Sequence, residues 1–148
     1  MKIILRNVVA VIVGLVIGGC VNMALVILGP HIVPGPAGVD MTDAKSIGDS
    51  IHLFEPKHFL FPFLAHAVGT LVGAMVAFLI AAKYREVFAY IVGVFFLAGG
   101  IAAATMIPAP KWFITLDLLG AYIPMAWLGT VIAKRILCCS SQSANVDR

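Results

Sequence analysis

The side chains that could do chemistry in this chain are few, and most fall where chemistry is costly. Four histidines (His31, His52, His58 and His66), a run of acidic residues between Asp40 and Glu55, Asp117, Asn22, Tyr122 and three cysteines are the candidates. His52, Glu55 and His58 recur every third residue and invite a metal reading. A structural site needs four tetrahedral ligands and a catalytic one three, and Pro56 breaks the helix that would align the two imidazoles. His66 stands eight residues beyond His58, about 12 Å along a helix, too far to share an ion. No metal, cofactor or catalytic constellation is expected, and the chain does not read as an enzyme. Cys138 and Cys139 are adjacent and Cys20 stands alone, which is no disulfide framework. Free thiols are expected.

The more informative candidates lie in apolar surroundings. Asn22, His66, Tyr122 and Asp117 interrupt long hydrophobic runs, and polar groups at membrane depth tend to face a bundle interior and mark function. Asn22 lies about 9 Å and His66 about 10 Å below the same boundary, counting residues from Leu28 and Phe59 at 1.5 Å each. An amide can donate to or accept from an imidazole, so an Asn22–His66 hydrogen bond is expected, with Tyr122 at the same level in a small crevice. Asp117 is expected in the first turn of its span, as a cap or a partner for the helix dipole.

These residues need elements to carry them, and composition decides which. Of 148 residues, 61% are hydrophobic and 11% charged, against roughly 45–50% and about 25% in soluble domains. The net charge of +3 is no nucleic-acid signature. Apolar stretches near residues 8–28, 59–82, 87–107 and 114–133 are each long enough to cross a hydrocarbon core of about 30 Å. They lack the alternation of barrel strands, so helices must satisfy the backbone. The expected fold is an all-α membrane protein, a four-transmembrane-helix bundle occupying residues 1–135, with residues 136–148 a disordered tail. Lys2 and Arg6 before an apolar run ending at Cys20 resemble a lipoprotein signal, but the run continues too far past Cys20 for a signal core.

Residues 29–58 form the large connection. Gly29, Pro30, Pro34, Gly35, Pro36 and Gly38 predict an extended, non-helical exit from the first span. Ala44, Ile47, Ile51 and Phe54 then recur at helical spacing, which predicts a short amphipathic surface helix over 43–54, capped by Thr42 or Asp43. Pro62, in a first helical turn, is harmless, whereas Pro124 should bend the fourth span. Lys2, Arg6, Lys83, Arg85, Lys134, Arg135 and Arg148 fall on one side and Lys45, Lys57 and Lys111 on the other, which predicts cytoplasmic termini.

Packing is predicted by small residues, because helices in lipid associate where backbones can approach. Ala65, Gly69, Gly73, Ala77 and Ala81 recur every fourth residue in the second span, as do Ala10, Gly14 and Gly18 in the first. Two segments, LFEPKHFLFPFLAHAVGT from Leu53 to Thr70 and PAPKWFITLD from Pro108 to Asp117 continuing into AYIPM from Ala121 to Met125, resemble a group of small, uncharacterised four-span bacterial membrane proteins. That resemblance implies a bacterial cytoplasmic membrane and transfers no functional residue. The residues favour a non-catalytic structural or accessory subunit, packing in the bilayer against itself or a membrane partner. The alternative is a small transporter or channel subunit using the crevice around His66.

Overall fold

The computed structural model describes residues 1–146, with side chains as far as Cys139. It is all helical: α1 (Lys2–Ile32), α2 (Ala44–Asp49), α3 (Leu60–Ile80), α4 (Arg85–Met106), α5 (Lys111–Gly120) and α6 (Ile123–Val146). Short 3₁₀ turns at Ile51–Leu53 and Pro56–Phe59 lead into α3. Four segments are long and apolar enough to cross a membrane: α1, α3 with its preceding turn, α4, and α5 with α6 as one broken span.

Helix α3 is the centre of the bundle, packing against α1, α4 and α6, while α1 packs chiefly against α3 and less against α4. The reason is its covering of small residues. On one side Gly69, Gly73 and Ala77 are buried against α1, and Ala65 is buried further along the same stripe. A Cβ added at Gly14 would lie 2.6 Å from the Gly73 carbonyl oxygen, and one at Gly18 2.6 Å from that of Gly69. The reverse also holds, at 2.8 Å from Gly73 to the Gly14 oxygen and 2.9 Å from Gly69 to the Gly18 oxygen. Two small pairs four residues apart thus interlock in antiparallel helices. Elsewhere on α3, Gly129 of α6 is pressed as tightly against the Leu71 carbonyl, 2.6 Å from its would-be Cβ.

Polar contacts lock the end of α3 nearest the chain termini. Asn7, 7% exposed, accepts from the Ala82 backbone N–H at 2.8 Å, and the Arg6 Nε donates to the Ile80 carbonyl at 2.6 Å. The Ile80 carbonyl is one of the acceptors a helix end leaves unpaired, and the Ala82 N–H lies just past that end. The link to α4 then turns at Tyr84 with φ 51°, and Lys134 of α6 pairs with Glu86 at 2.6 Å.

Four details depart from the sequence expectations. Helix α1 continues through Gly29 and Pro30 to Ile32, closed by Val33 N–H to the Gly29 carbonyl at 2.8 Å. Pro30 has no N–H for the Val26 carbonyl, so the helix passes it without that bond and ends two residues later. The surface helix is shorter than 43–54: Asp43 caps it through Lys45 and Ser46 N–H, and it ends at Asp49, just after Gly48. The fourth span is broken, not merely bent, with α5 ending at Gly120 and α6 starting at Ile123. Pro124 clashes with the carbonyl four residues back, which is that of Gly120, so the break falls there. Finally, α6 continues as helix to Val146, where an irregular backbone is expected from residue 136. A helix already nucleated in the span extends by one hydrogen bond per residue. Residues 147 and 148 lie outside the described residues.

The α1–α3 contact predicts that Gly73→Ile, which places a side chain against the Gly14 backbone, costs about 1–3 kcal/mol or more. Gly99→Ala, where nothing lies within 4 Å of the added carbon, should leave stability equal or higher by up to about 1 kcal/mol. Thermal melting of both variants in detergent checks this.

Candidate functional site

The break in the fourth span is where the polar side chains meet. Asp117, on the last full turn of α5, is 4% exposed, and Tyr122, in the two-residue gap before α6, is 1% exposed. The Tyr122 hydroxyl donates to Asp117 Oδ2 at 2.9 Å. From α3, His66 brings Nδ1 to 2.9 Å from both carboxylate oxygens. A carboxylate only accepts, so Nδ1 carries the proton that faces it. The imidazole also lies over the Tyr122 ring, centroids 5.6 Å apart and planes 31° apart.

This geometry fixes the rest of the imidazole. With Nδ1 committed to Asp117, the ring in its neutral form exposes an acceptor at Nε2. Nε2 has no hydrogen-bond partner among the described residues, and the His66 side chain remains 23% exposed. A carboxylate that orients an imidazole and leaves the far nitrogen open equips it to accept a proton or hydrogen bond from a bound molecule. The only buried side-chain polar atom without a partner among the described residues is the Thr70 Oγ. It sits one helical turn from His66 on the same face of α3.

Glycine makes the arrangement fit. The Tyr122 phenol lies against Gly100 of α4 so closely that a Cβ there would overlap its ring and hydroxyl. Gly93, about two turns along α4, admits the Ala126 side chain, 2.7 Å from its would-be Cβ. Small residues on α4 thus let the start of α6 come near enough for Tyr122 to reach Asp117.

Two concavities border His66. One, about 240 Å³, lies at the loop end of the bundle, walled by Val26, Phe61, Ala104 and Phe113 and roofed by Ile47 and Phe54 of the surface segment. The other, about 450 Å³, is an open groove between α1 and α4 that also touches Asn22 and Tyr122. Phe59 anchors the roof, its ring 4.7 Å from Phe113 and 5.6 Å from Trp112.

Two sequence expectations are corrected here. Asn22 makes no hydrogen bond to His66: it borders the same groove, but its Cα and Cβ pack against Gly69. The imidazole turns instead to a full carboxylate, the stronger acceptor. Asp117 is no helix cap, since α5 begins six residues earlier at Lys111. That offset, about 9 Å of rise, was the signal that places Asp117 level with His66. Arg6 and Asn7, which tie α1 to the end of α3, were missed as structural contacts, because their partners are backbone groups distant in sequence.

The remaining histidine motif has a local explanation. His58 Nδ1 accepts from the Glu55 N–H at 2.8 Å, and the two residues form a reciprocal capping box at the turn entering α3. Glu55 in turn pairs with Lys57 at 3.0 Å, whose ammonium, through that hydrogen bond and its charge, holds the carboxyl below the usual range. No three His, Cys, Asp or Glu side chains converge on a common point among the described residues. Comparison with family models, characterised proteins and solved structures finds no match to this chain.

The interlocked groups predict unequal costs. Tyr122→Phe removes one neutral donor to a carboxylate that keeps His66, and should cost about 1–2 kcal/mol. Asp117→Leu strips both His66 and Tyr122 of their partner in a buried site, and should cost about 3–5 kcal/mol. Chemical denaturation in detergent, followed by helical circular dichroism, measures the difference.

Proposed function

We propose that this protein is a non-catalytic, ligand-handling subunit of the cytoplasmic membrane, working through the crevice at His66 as a small transporter or its binding component. The observation that carries this reading is the Asp117–His66–Tyr122 cluster at a helix break, with His66 bordering two concavities and its Nε2 without a partner among the described residues. Broken helices and buried polar groups are how membrane transporters build binding sites. A bundle needs neither for its stability, and pays for both in desolvation.

The competing reading is an accessory subunit held to itself or a partner by its small-residue stripes. Those stripes are occupied within one chain: Gly14 and Gly18 meet Gly73 and Gly69, Gly129 meets Leu71, and Gly100 meets Tyr122. The stripe glycines are thus already engaged within one chain, although Gly19 and Gly99 stay open, so the ligand reading rests on the polar cluster. The resemblance to small four-span bacterial proteins is consistent with either and adds no residue roles.

Orientation belongs to the same proposal. Basic residues outnumber those of the loop side at the end carrying the termini, seven to three, which supports cytoplasmic termini. In intact cells, cysteines placed at Asp49 and Lys111 should react with an impermeant maleimide, and cysteines at Lys83 and Ser143 should not.

The functional reading is tested by replacing the cluster as a whole. Removing a buried charged network entirely, in favour of apolar side chains of similar size, is often neutral or stabilising. The triple variant His66→Leu, Asp117→Leu, Tyr122→Phe should therefore melt at or above the parent's temperature, as befits residues kept for work and not for folding. A marked fall in melting temperature would return the cluster to a structural role and the protein to the accessory reading.

A further inference from the structure

The chamber at the loop end specifies more than an opening. Its walls come from four elements, α1, α3, α4 and α5, and its roof from the surface segment, so it is built by the fold as a whole and not left by one side chain. Nearly everything lining it is hydrocarbon: Val26, Ile47, Phe54, Phe61, Ala104 and Phe113. The imidazoles of His58 and His66 are the titratable groups that border it. His58 spends Nδ1 on its own turn, whereas His66 is oriented from behind by Asp117.

Size narrows the occupant. An apolar cavity of about 150 Å³ binds benzene, and this chamber holds about 240 Å³. It therefore takes an aromatic ring with a short apolar substituent, and is too small for a whole lipid. Polarity narrows it further, since an orphan acceptor beside an apolar wall selects a molecule with one donor on an otherwise hydrocarbon body. The groove between α1 and α4 supplies a route: it borders His66 from the lipid side, and its glycines Gly19 and Gly99 have no atom within 4 Å of an added Cβ.

We infer that the protein binds a small alkylphenol-class molecule, its ring in the loop-end chamber and its hydroxyl donating to His66 Nε2, with entry from the adjoining lipid leaflet through the α1–α4 groove. The inference rests on the ligand-handling reading of His66 and names the class of ligand. No bond is made or broken in it; the ligand donates a hydrogen bond and leaves unchanged.

Calorimetric titration of the full-length protein in detergent with 4-propylphenol and with propylbenzene tests it, the two probes differing by the hydroxyl alone. The parent should prefer the phenol by about tenfold, the worth of one desolvated hydrogen bond. Ala104→Phe fills the chamber while leaving Asp117, His66 and Tyr122 in place, and should abolish binding of both probes. The triple variant, if it melts as the parent does, should bind both probes with equal affinity.

Equal affinity of the parent for both probes would overturn the inference, since the chamber would then be an apolar slot that His66 does not read. Unaltered binding to Ala104→Phe would overturn it by locating the probe elsewhere. Absence of binding by either probe would overturn the ligand class alone: the melting temperature of the triple variant separately decides whether His66 is kept for function.

Discussion

Lipid gives helices no reward for burying leucine against leucine, so a bundle of this kind holds together where backbones can touch. Here that constraint is met on α3. Gly69 and Gly73 admit Gly14 and Gly18 on one side, and the backbone around Leu71 admits Gly129 on another. Each contact puts a carbonyl oxygen where a side chain would otherwise stand. Dispersion between close backbones then replaces the hydrophobic effect that a soluble protein would use. Bulk is displaced to the rim, where Ile12, Val16, Val94 and Phe95 face outward.

The same central helix carries His66, and so the site inherits its position from the packing. Because α3 is held by neighbours on several sides, the imidazole has little freedom to seek another partner. The partner comes to it: Pro124 forbids a continuous fourth helix, and the resulting gap at Ala121 and Tyr122 lets α5 and α6 take separate directions. Asp117 on one side of the gap and Tyr122 within it converge on one ring. A continuous helix would place residues 117 and 122 on faces about 140° apart, by the 100° step per residue of an α-helix. The break is therefore a condition of the cluster.

Burying a carboxylate in hydrocarbon is costly unless every lone pair it presents finds a donor. Asp117 receives the Tyr122 hydroxyl and the His66 N–H, and its cost is spread over both. Within that cluster the far nitrogen of His66 is left without an internal partner, on a residue that borders an apolar chamber. A structural histidine in lipid would gain by pairing both nitrogens. The one-sided pairing gives the site its polarity and direction.

The sequence by itself determined four stretches long and apolar enough to cross a membrane as helices, and the central small-residue stripe. Each follows from local composition or from spacing along one helix, quantities that no distant contact can alter. It also located Pro124, and the clash with Gly120 could be counted from it. What only the tertiary structure decided was which polar groups meet. Asn22 and Asp117 both lie at the depth of His66, and depth is a single coordinate; the rotation of each helix about its axis supplies the second. That rotation is set by Gly93 and Gly100 admitting Ala126 and Tyr122, and by Gly69 taking up the stem of Asn22. With those approaches in place it is Asp117, not Asn22, that meets His66, and packing of that kind is a property of the assembled bundle.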